Sequence, residues 1–295
     1  MAASFWESTQ RRYWMFSKEE LAQMREKLCD EDPKLVQMYP LPDWKYLYIY
    51  FNQQIVRLGK RLSVRQQIVA TAQLYIKRFY CKVEIRRTNP YLVITTALYL
   101  ACKMEEAPQH IRLVATEARS LWPDFLSLDT SRLGECEFFL ISEMNSQLII
   151  HQPYRTLATL QSDFYLTQDE INLSWSIIND HYVTDLPLLY PRTSSRSPPS
   201  SSRSPKPGGE AWAAATAGRP RRAPAATDKD KQQEARFGKV QRFAAFVAES
   251  QVDIEAMVDC TQEMISFYEV HEQYNDKATR DQINRFIKAR GLDKA

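Results

Sequence analysis

Residues 91–106 read YLVITTALYLACKMEE. The twelve positions from Tyr91 to Cys102 carry no charge on any side, and a lysine and two glutamates follow within four residues. A helix with one face in water needs a polar stripe at a period of 3.6, so one without such a stripe has to be surrounded by other helices. Asn89 and Pro90 start it with a capping side chain and a proline whose missing amide would have had no partner. The segment is therefore the central helix of a bundle, and its charged end is read as a docking point for another protein.

The neighbouring stretches supply the helices that would enclose it. Asp43 caps a helix whose stripe is Trp44, Leu47, Tyr48, Phe51, Ile55 and Leu58, and Gly59 is expected to end it. Ser63 is expected to open the next, with Val64, Ile68, Ala72, Tyr75, Ile76 and Phe79 on one face and Arg65, Lys77 and Arg78 pointing elsewhere. A shorter helix follows over 109–119, and another over 129–145 with Leu133, Cys136, Leu140 and Met144 inward. Upstream, an aromatic lead (Phe5, Trp6, Tyr13, Trp14) precedes a capping box, Ser17 with Glu20, that opens a helix ending near Cys29. The proline-containing DPKLVQMYPLP then separates the two parts.

A second series begins at Pro153. It has a short helix to Gln161 and then a capping box, Thr167 with Glu170, opening a helix with Ile171, Trp175, Ile178 and Tyr182 inward. After TDLPLLYP, where a third helix is due, the chain turns to Ser, Pro, Arg and Ala. Residues 191–236 cannot bury a core and are expected to be disordered. Order is expected to resume near Phe237, with Val240, Phe243, Ala244 and Val247 at helical spacing. Ser250 to Asp253 should cap a further helix, and a last polar helix should span Lys277 to Arg290. With only Gly59 and Gly134 among the first 190 residues, hairpin turns are hard to supply. The fold class is all-α.

Composition narrows the function. At 295 residues with 44% hydrophobic and 25% charged positions, the chain has the make-up of a folded protein. The absence of an apolar run long enough to span a bilayer, and of an apolar core in MAASFWESTQRR, reads as intracellular. The five cysteines (Cys29, Cys81, Cys102, Cys136, Cys260) are scattered and fit reduced thiols, and the four histidines sit at no ligand spacing, so no metal is expected. Residues 191–231 hold nine Lys/Arg and three Asp/Glu, which leaves the rest of the chain at −3 against a whole-chain charge of +3. The basic excess therefore belongs to that segment and gives no basic face for nucleic acid. No phosphate loop, nucleophile with its base, or catalytic carboxylate pair is present, so neither catalysis nor a cofactor is expected.

Five helices with an apolar central one ending in lysine and acidic residues, followed by a second series, resemble the tandem boxes of the cyclin family. RQQIVATAQLYIKRFY is similar to the second helix of a first cyclin box, YLVITTALYLACKMEE to its third, and ECEFFLISEMNSQLIIHQPYRTL to its fifth with the join to a second box. SFWESTQRRYW, RQQ and HQPYR are similar to the cyclin C branch in particular. The resemblance implies tandem five-helix bundles. Residues 1–40 form an N-terminal extension, 41–150 a kinase-binding first box, 151–190 the start of a second, 191–236 an insert, and 237–295 the remainder of the second box with a C-terminal helix. The departure is at Pro191, where family members continue into an apolar helix. A retained intron or a frame error is one reading of residues 191–236, and a genuine insert is the other. Ser197 and Ser204, each before a proline, are candidate phosphorylation sites in that insert, and RPRR at Arg219 to Arg222 is a weak import signal.

The same resemblance implies a regulatory subunit, itself no enzyme. Its partner would be the cyclin-dependent protein kinase of the Mediator complex, alongside other Mediator subunits. It would regulate RNA polymerase II transcription in the nucleus, with no direct nucleic-acid or membrane contact and no obligate homo-oligomer. The alternative is a general transcription factor of the TFIIB type on the same fold, which calls for a basic folded surface and a zinc ribbon. On one helix Leu100, Lys103 and Met104 are neighbours at spacings of three and four, and Glu135 and Phe139 form a similar pair on the fifth helix. Side by side these helices are expected to offer a pocket lined by Leu100, Met104, Phe139 and Met144 and rimmed by Lys103 and Glu135. By position in the family, Lys103 and Glu135 match the lysine and glutamate that hold the kinase.

Overall fold

The computed structural model describes residues 5–190 and 253–293, with Gln241, Ala245, Phe246 and Ala248 between them. Residues 191–236, the stretch expected to resume near Phe237 through Val240, Phe243, Ala244 and Val247, and Ser250 all lie outside the described residues. Among those described, every regular element is a helix. The lead contributes α1 (Thr9–Tyr13), α2 (Lys18–Asp30) and α3 (Pro33–Met38). Helix α2 starts on the Ser17–Glu20 capping box, and α3 arises inside the proline-containing separator because Asp32 caps it and Pro33 takes its first position.

A five-helix bundle follows: α4 (Trp44–Arg61), α5 (Gln66–Tyr80), α6 (Pro90–Met104), α7 (Ile111–Leu121) and α8 (Thr130–Glu143). Helix α6 packs against the other four. Twelve of its fifteen residues are buried. Its two threonine hydroxyls are satisfied without leaving the core, since Thr95 and Thr96 donate to the carbonyls of Tyr91 and Leu92 at 2.7 and 2.8 Å. The caps at Asp43, Asn89 and Asp129 each accept from a backbone amide in the first turn.

Gly59 does not end α4, which continues to Arg61. It is buried where α4 meets α5, and a Cβ there would lie 3.1 Å from Val69 and 3.2 Å from Val64. The stop falls at Ser63, which adopts a left-handed φ of 52° while its amide and that of Val64 bond the carbonyls of Lys60 and Gly59. Ser63 thus ends α4 and does not open α5, whose first residue is Gln66.

Lys77 and Arg78 also depart from expectation, being 2% and 0% exposed. Helix α5 is covered on its outer side by the N-terminal lead and by α9 (Tyr154–Phe164), α10 (Gln168–His181) and α11 (Leu186–Leu189). Lys77 donates to the Val183 carbonyl at 3.0 Å with its ammonium 3.2 Å from the centre of the Tyr48 ring. Arg78 donates to the Gln147 carbonyl at 2.8 Å and stacks on Trp14, whose indole donates to Gln147 Oε1 at 2.7 Å. Beside Lys77, Arg25 of α2 pairs with Asp185 at 2.7 Å and reaches the Tyr48 hydroxyl. Burial pushes the Lys77 amine down to about 7.

After residue 253 come α12 (Ile254–Glu272) and α13 (Asp276–Ala289), both packed on α4. The last helix is not polar all round. Ile283, Phe286 and Ile287 are fully buried in the core of the first bundle, Asn284 accepts from the Tyr91 hydroxyl at 2.7 Å, and the Leu292 carbonyl accepts from Asn89. The C-terminus therefore braces the start of the central helix.

Two outcomes follow from this packing. Phe286→Ala leaves a cavity in the main core and should cost about 3–5 kcal/mol in chemical denaturation, monitored by circular dichroism. His181, at the end of α10, has its pKa pushed down to about 4 by burial and then by the Lys77 charge. The unfolded chain takes up a proton below its ordinary value of 6.5 while the folded chain does not. Stability should thus fall by about 2–3 kcal/mol as pH drops from 6.5 to 4. His181→Phe, which keeps the ring against Tyr182, should flatten that part of the stability–pH curve.

Candidate docking site at the charged end of the central helix

The three charges that close α6 go to three different places. Lys103 runs back along α6 over the Tyr99 ring, 4.3 Å from its centre, and donates to both carboxylate oxygens of Glu137 on α8 at 2.8 and 2.9 Å. Burial works to lower the Lys103 pKa, but hydrogen bonding to Glu137 and Tyr99 outweighs it and leaves the value raised. The lysine side chain is 41% exposed and the Glu137 side chain 12%, so a half-open cation sits over a nearly closed anion. Glu105, the residue that caps α6, turns the other way and accepts from Thr71 at 2.7 Å and Gln152 at 3.0 Å. Gln152 belongs to the HQPYR join, so this carboxylate ties the first bundle to the helices that follow. Glu106 takes a left-handed φ of 55°, while the Ala107 amide returns to the Cys102 carbonyl at 2.9 Å and closes the helix end.

The apolar residues expected around this point divide into two kinds. Leu100 and Met144 lie in the main core, 2% and 0% exposed, and hold the ends of α6 and α8 in register from within. They do not line an open pocket, because the inward stripe of each helix is already filled by its neighbours. Met104 and Phe139 are 38% and 42% exposed and face outward. The Phe139 ring packs edge-on against Phe79 of α5 at 5.2 Å, and its neighbour Phe138 is 76% exposed. Glu135 is exposed on α8, and it is Glu137, two residues on, that meets Lys103. On a helix a shift of two positions turns a side chain by roughly 200°, and the sequence ECEFF offers a glutamate for either face. Among the described residues, no group of three or more His, Cys, Asp or Glu is placed to hold a metal ion.

Exposed aromatic and thioether groups thus flank a half-buried ion pair at adjoining ends of two helices. Such a surface suits the apolar side of a partner helix whose polar groups meet the charges.

Residues 11–149 match the family model described as the N-terminal domain of cyclins. Over its whole length the chain is 55% identical to the RNA polymerase II holoenzyme cyclin-like subunit of Gibberella moniliformis, covering all of both chains. It is 54% identical to the protein of the same description from Neurospora crassa, again over all of both. Among solved structures it resembles a chain of the CAK complex of Chaetomium thermophilum (TM-score 0.61, 18% identity, 97% of this chain and 90% of that one). It also resembles a chain of the yeast TFIIK complex (TM-score 0.51, 20% identity, 63% and 80%), and at these identities the likeness is one of fold. With its five-helix bundle, its apolar central helix and full-length relatives more than half identical, the chain belongs to the cyclin family, among the RNA polymerase II holoenzyme cyclin-like subunits of the cyclin C type.

Proposed function

We propose that this cyclin binds and activates a cyclin-dependent protein kinase of the Mediator complex and thereby regulates RNA polymerase II transcription. The observation that carries the reading is the Lys103–Glu137 ion pair at adjoining ends of α6 and α8, with Met104, Phe138 and Phe139 exposed on the same two helices. The kinase's mobile regulatory helix is the partner segment. Its apolar side meets the exposed aromatic and thioether groups, and its polar groups meet Lys103 and Glu137. Glu135, exposed on α8 and four residues before Phe139, serves as a rim contact, and Leu100 and Met144 support the surface from beneath. Kinase activity needs that helix placed so its glutamate can pair with the lysine that orients the ATP phosphates. A cyclin that binds this position better than the inactive one shifts the kinase population toward activity and contributes no reacting group.

Its relatives' description as holoenzyme subunits supports the transcriptional role, a nuclear location and contact with further Mediator subunits. In domain terms, residues 41–150 form the kinase-binding box, preceded by the extension 1–40. The second box starts over 151–190 and resumes after the segment 191–236. The acidic balance of the chain outside that segment argues against the TFIIB-type alternative, which needs a basic face.

The test separates the two glutamates. Lys103→Glu should weaken co-purification with a co-expressed cyclin-dependent kinase at least tenfold, about 1.4 kcal/mol, with helicity unchanged. Glu137→Lys should have a similar effect, whereas Glu135→Lys should lower binding only a few-fold. Kinase activity of each recovered complex should follow occupancy. Full retention of the kinase by Lys103→Glu would remove this face from the interface.

A further inference from the structure

Arg78 is a fully buried cation whose bonding is incomplete. Its Nη1 donates to the Gln147 carbonyl at 2.8 Å, while Nε and Nη2 are buried with no protein acceptor among the described residues. The rest of the guanidinium lies over the Trp14 ring, 5.0 Å from its centre. A buried charge held by one acceptor adds less to stability than an apolar side chain of similar volume would. Its place in α5 therefore calls for another reason, and the acceptor supplies one.

Gln147 lies just past the exit turn of α8, which ends at Glu143. Asn145 and Ser146 take left-handed φ values of 51° and 57° in succession, a conformation that costs residues with a side chain. The Ser146 amide donates to the Ile141 carbonyl and the Gln147 amide to the Met144 carbonyl, both at 2.9 Å, which closes the turn. Beyond it the chain is held by side chains from two other places. Tyr75 of α5 donates to the Leu148 carbonyl at 2.6 Å, the Trp14 indole donates to Gln147 Oε1 at 2.7 Å, and Gln10 Oε1 accepts from the His151 amide at 2.8 Å. Backbone of this kind persists where its surroundings over-determine it, and here α5 and the N-terminal lead do so. Helix α8 is unbroken from Thr130 to Glu143, so the placement of its exit is carried to Glu137, Phe138 and Phe139 within two turns.

We propose that Arg78 is a positioning residue for the kinase site: together with Trp14 and Tyr75 it fixes the exit turn of α8 and so sets how α8 presents Glu137 and Phe139 beside Lys103. The inference rests on the reading of α6 and α8 as that site. Arg78 is itself closed to any partner, being 0% exposed, and acts only through Gln147. A buried cation with one acceptor in reach tolerates one position of that acceptor, which an apolar side chain would not enforce.

The test is Arg78→Met in the full chain, which keeps most of the apolar contact and removes the donor. The melting temperature of the free protein should hold or rise. The dissociation constant for the co-expressed cyclin-dependent kinase should nevertheless increase at least tenfold. In the Arg78→Met background the excess penalty of Glu137→Lys over Glu135→Lys should shrink at least threefold, a coupling that a role in stability alone would not produce. Amide hydrogen exchange over Gln147–Ile150 should quicken at least tenfold with α6 unchanged. Trp14→Phe, which keeps a ring against Arg78 and removes the indole donor, should weaken kinase binding a few-fold. Wild-type affinity in folded Arg78→Met protein would overturn the proposal. So would a melting temperature as low as that of Phe286→Ala, or failure of Arg78→Met to fold, because either makes the arginine a residue of stability. If Lys103→Glu keeps the kinase, the site reading falls and this inference with it. If Lys103→Glu releases the kinase and Arg78→Met holds it at full strength, this inference alone falls.

Discussion

A helix with no polar side constrains everything placed around it. From Tyr91 to Cys102, α6 offers water nothing on any face, so four helices have to cover it, and α4, α5, α7 and α8 do. The cover ends where the apolar run ends, and the charges there have to be satisfied by residues outside the core. Lys103 reaches sideways to α8, and Glu105 reaches across to Thr71 and Gln152. One constraint therefore produces both the candidate docking surface and the tie to the second series. The first needs an ion pair half open to solvent, and the second needs a carboxylate closed by neutral donors.

Helix α5 carries the next layer of the same logic. Its inner side belongs to the first bundle, and its outer side is covered by the lead and by the segment around α11, so Lys77 and Arg78 become buried cations. Each is held by a backbone carbonyl and an aromatic ring, and among the described residues neither forms an ion pair with a carboxylate. The carbonyls come from Val183 and Gln147, far along the chain, so these two side chains read the position of the second series and of the α8 exit at once. A buried cation of this kind is destabilising unless its acceptor is in place, which makes the junction a point of specificity as well as of cohesion.

Much of this was legible from residue order alone. The capping boxes at Ser17 and Thr167, the caps at Asp43 and Asn89, and the central place of α6 are local or periodic signals, and each appears where the spacing puts it. What could not be read depends on partners distant in sequence. Gly59 looks like a helix stop, yet its role is to let α5 approach, and the stop is a serine in a left-handed turn. Lys77 and Arg78 look solvated until a second layer covers them. Helix α13 looks polar because Ile283, Phe286 and Ile287 are few among many charges, yet those three occupy the core of the first bundle. At the candidate site, the sequence offered two glutamates, and only the rotation of α8 against α6 selects Glu137.

The two halves of the chain differ in how their apolar surface is spent, and this bears on how they work. The first half encloses its central helix and is braced by α13, so the residues left exposed at its charged end stand on a rigid base. Rigidity is what allows a binding surface to favour one conformation of a partner over another, because a surface that adapts equally to both shifts no equilibrium. The second half has no such enclosure among its described residues: of the nineteen residues in α12 only Phe267 is buried, and of the fourteen in α10 only Ile171. Its apolar groups face a cleft and solvent between acidic rims. The seat at the charged end of α6 therefore rests on the first bundle and on α13, whose Ile283, Phe286 and Ile287 are part of that bundle's core, and takes little support from α10 or α12.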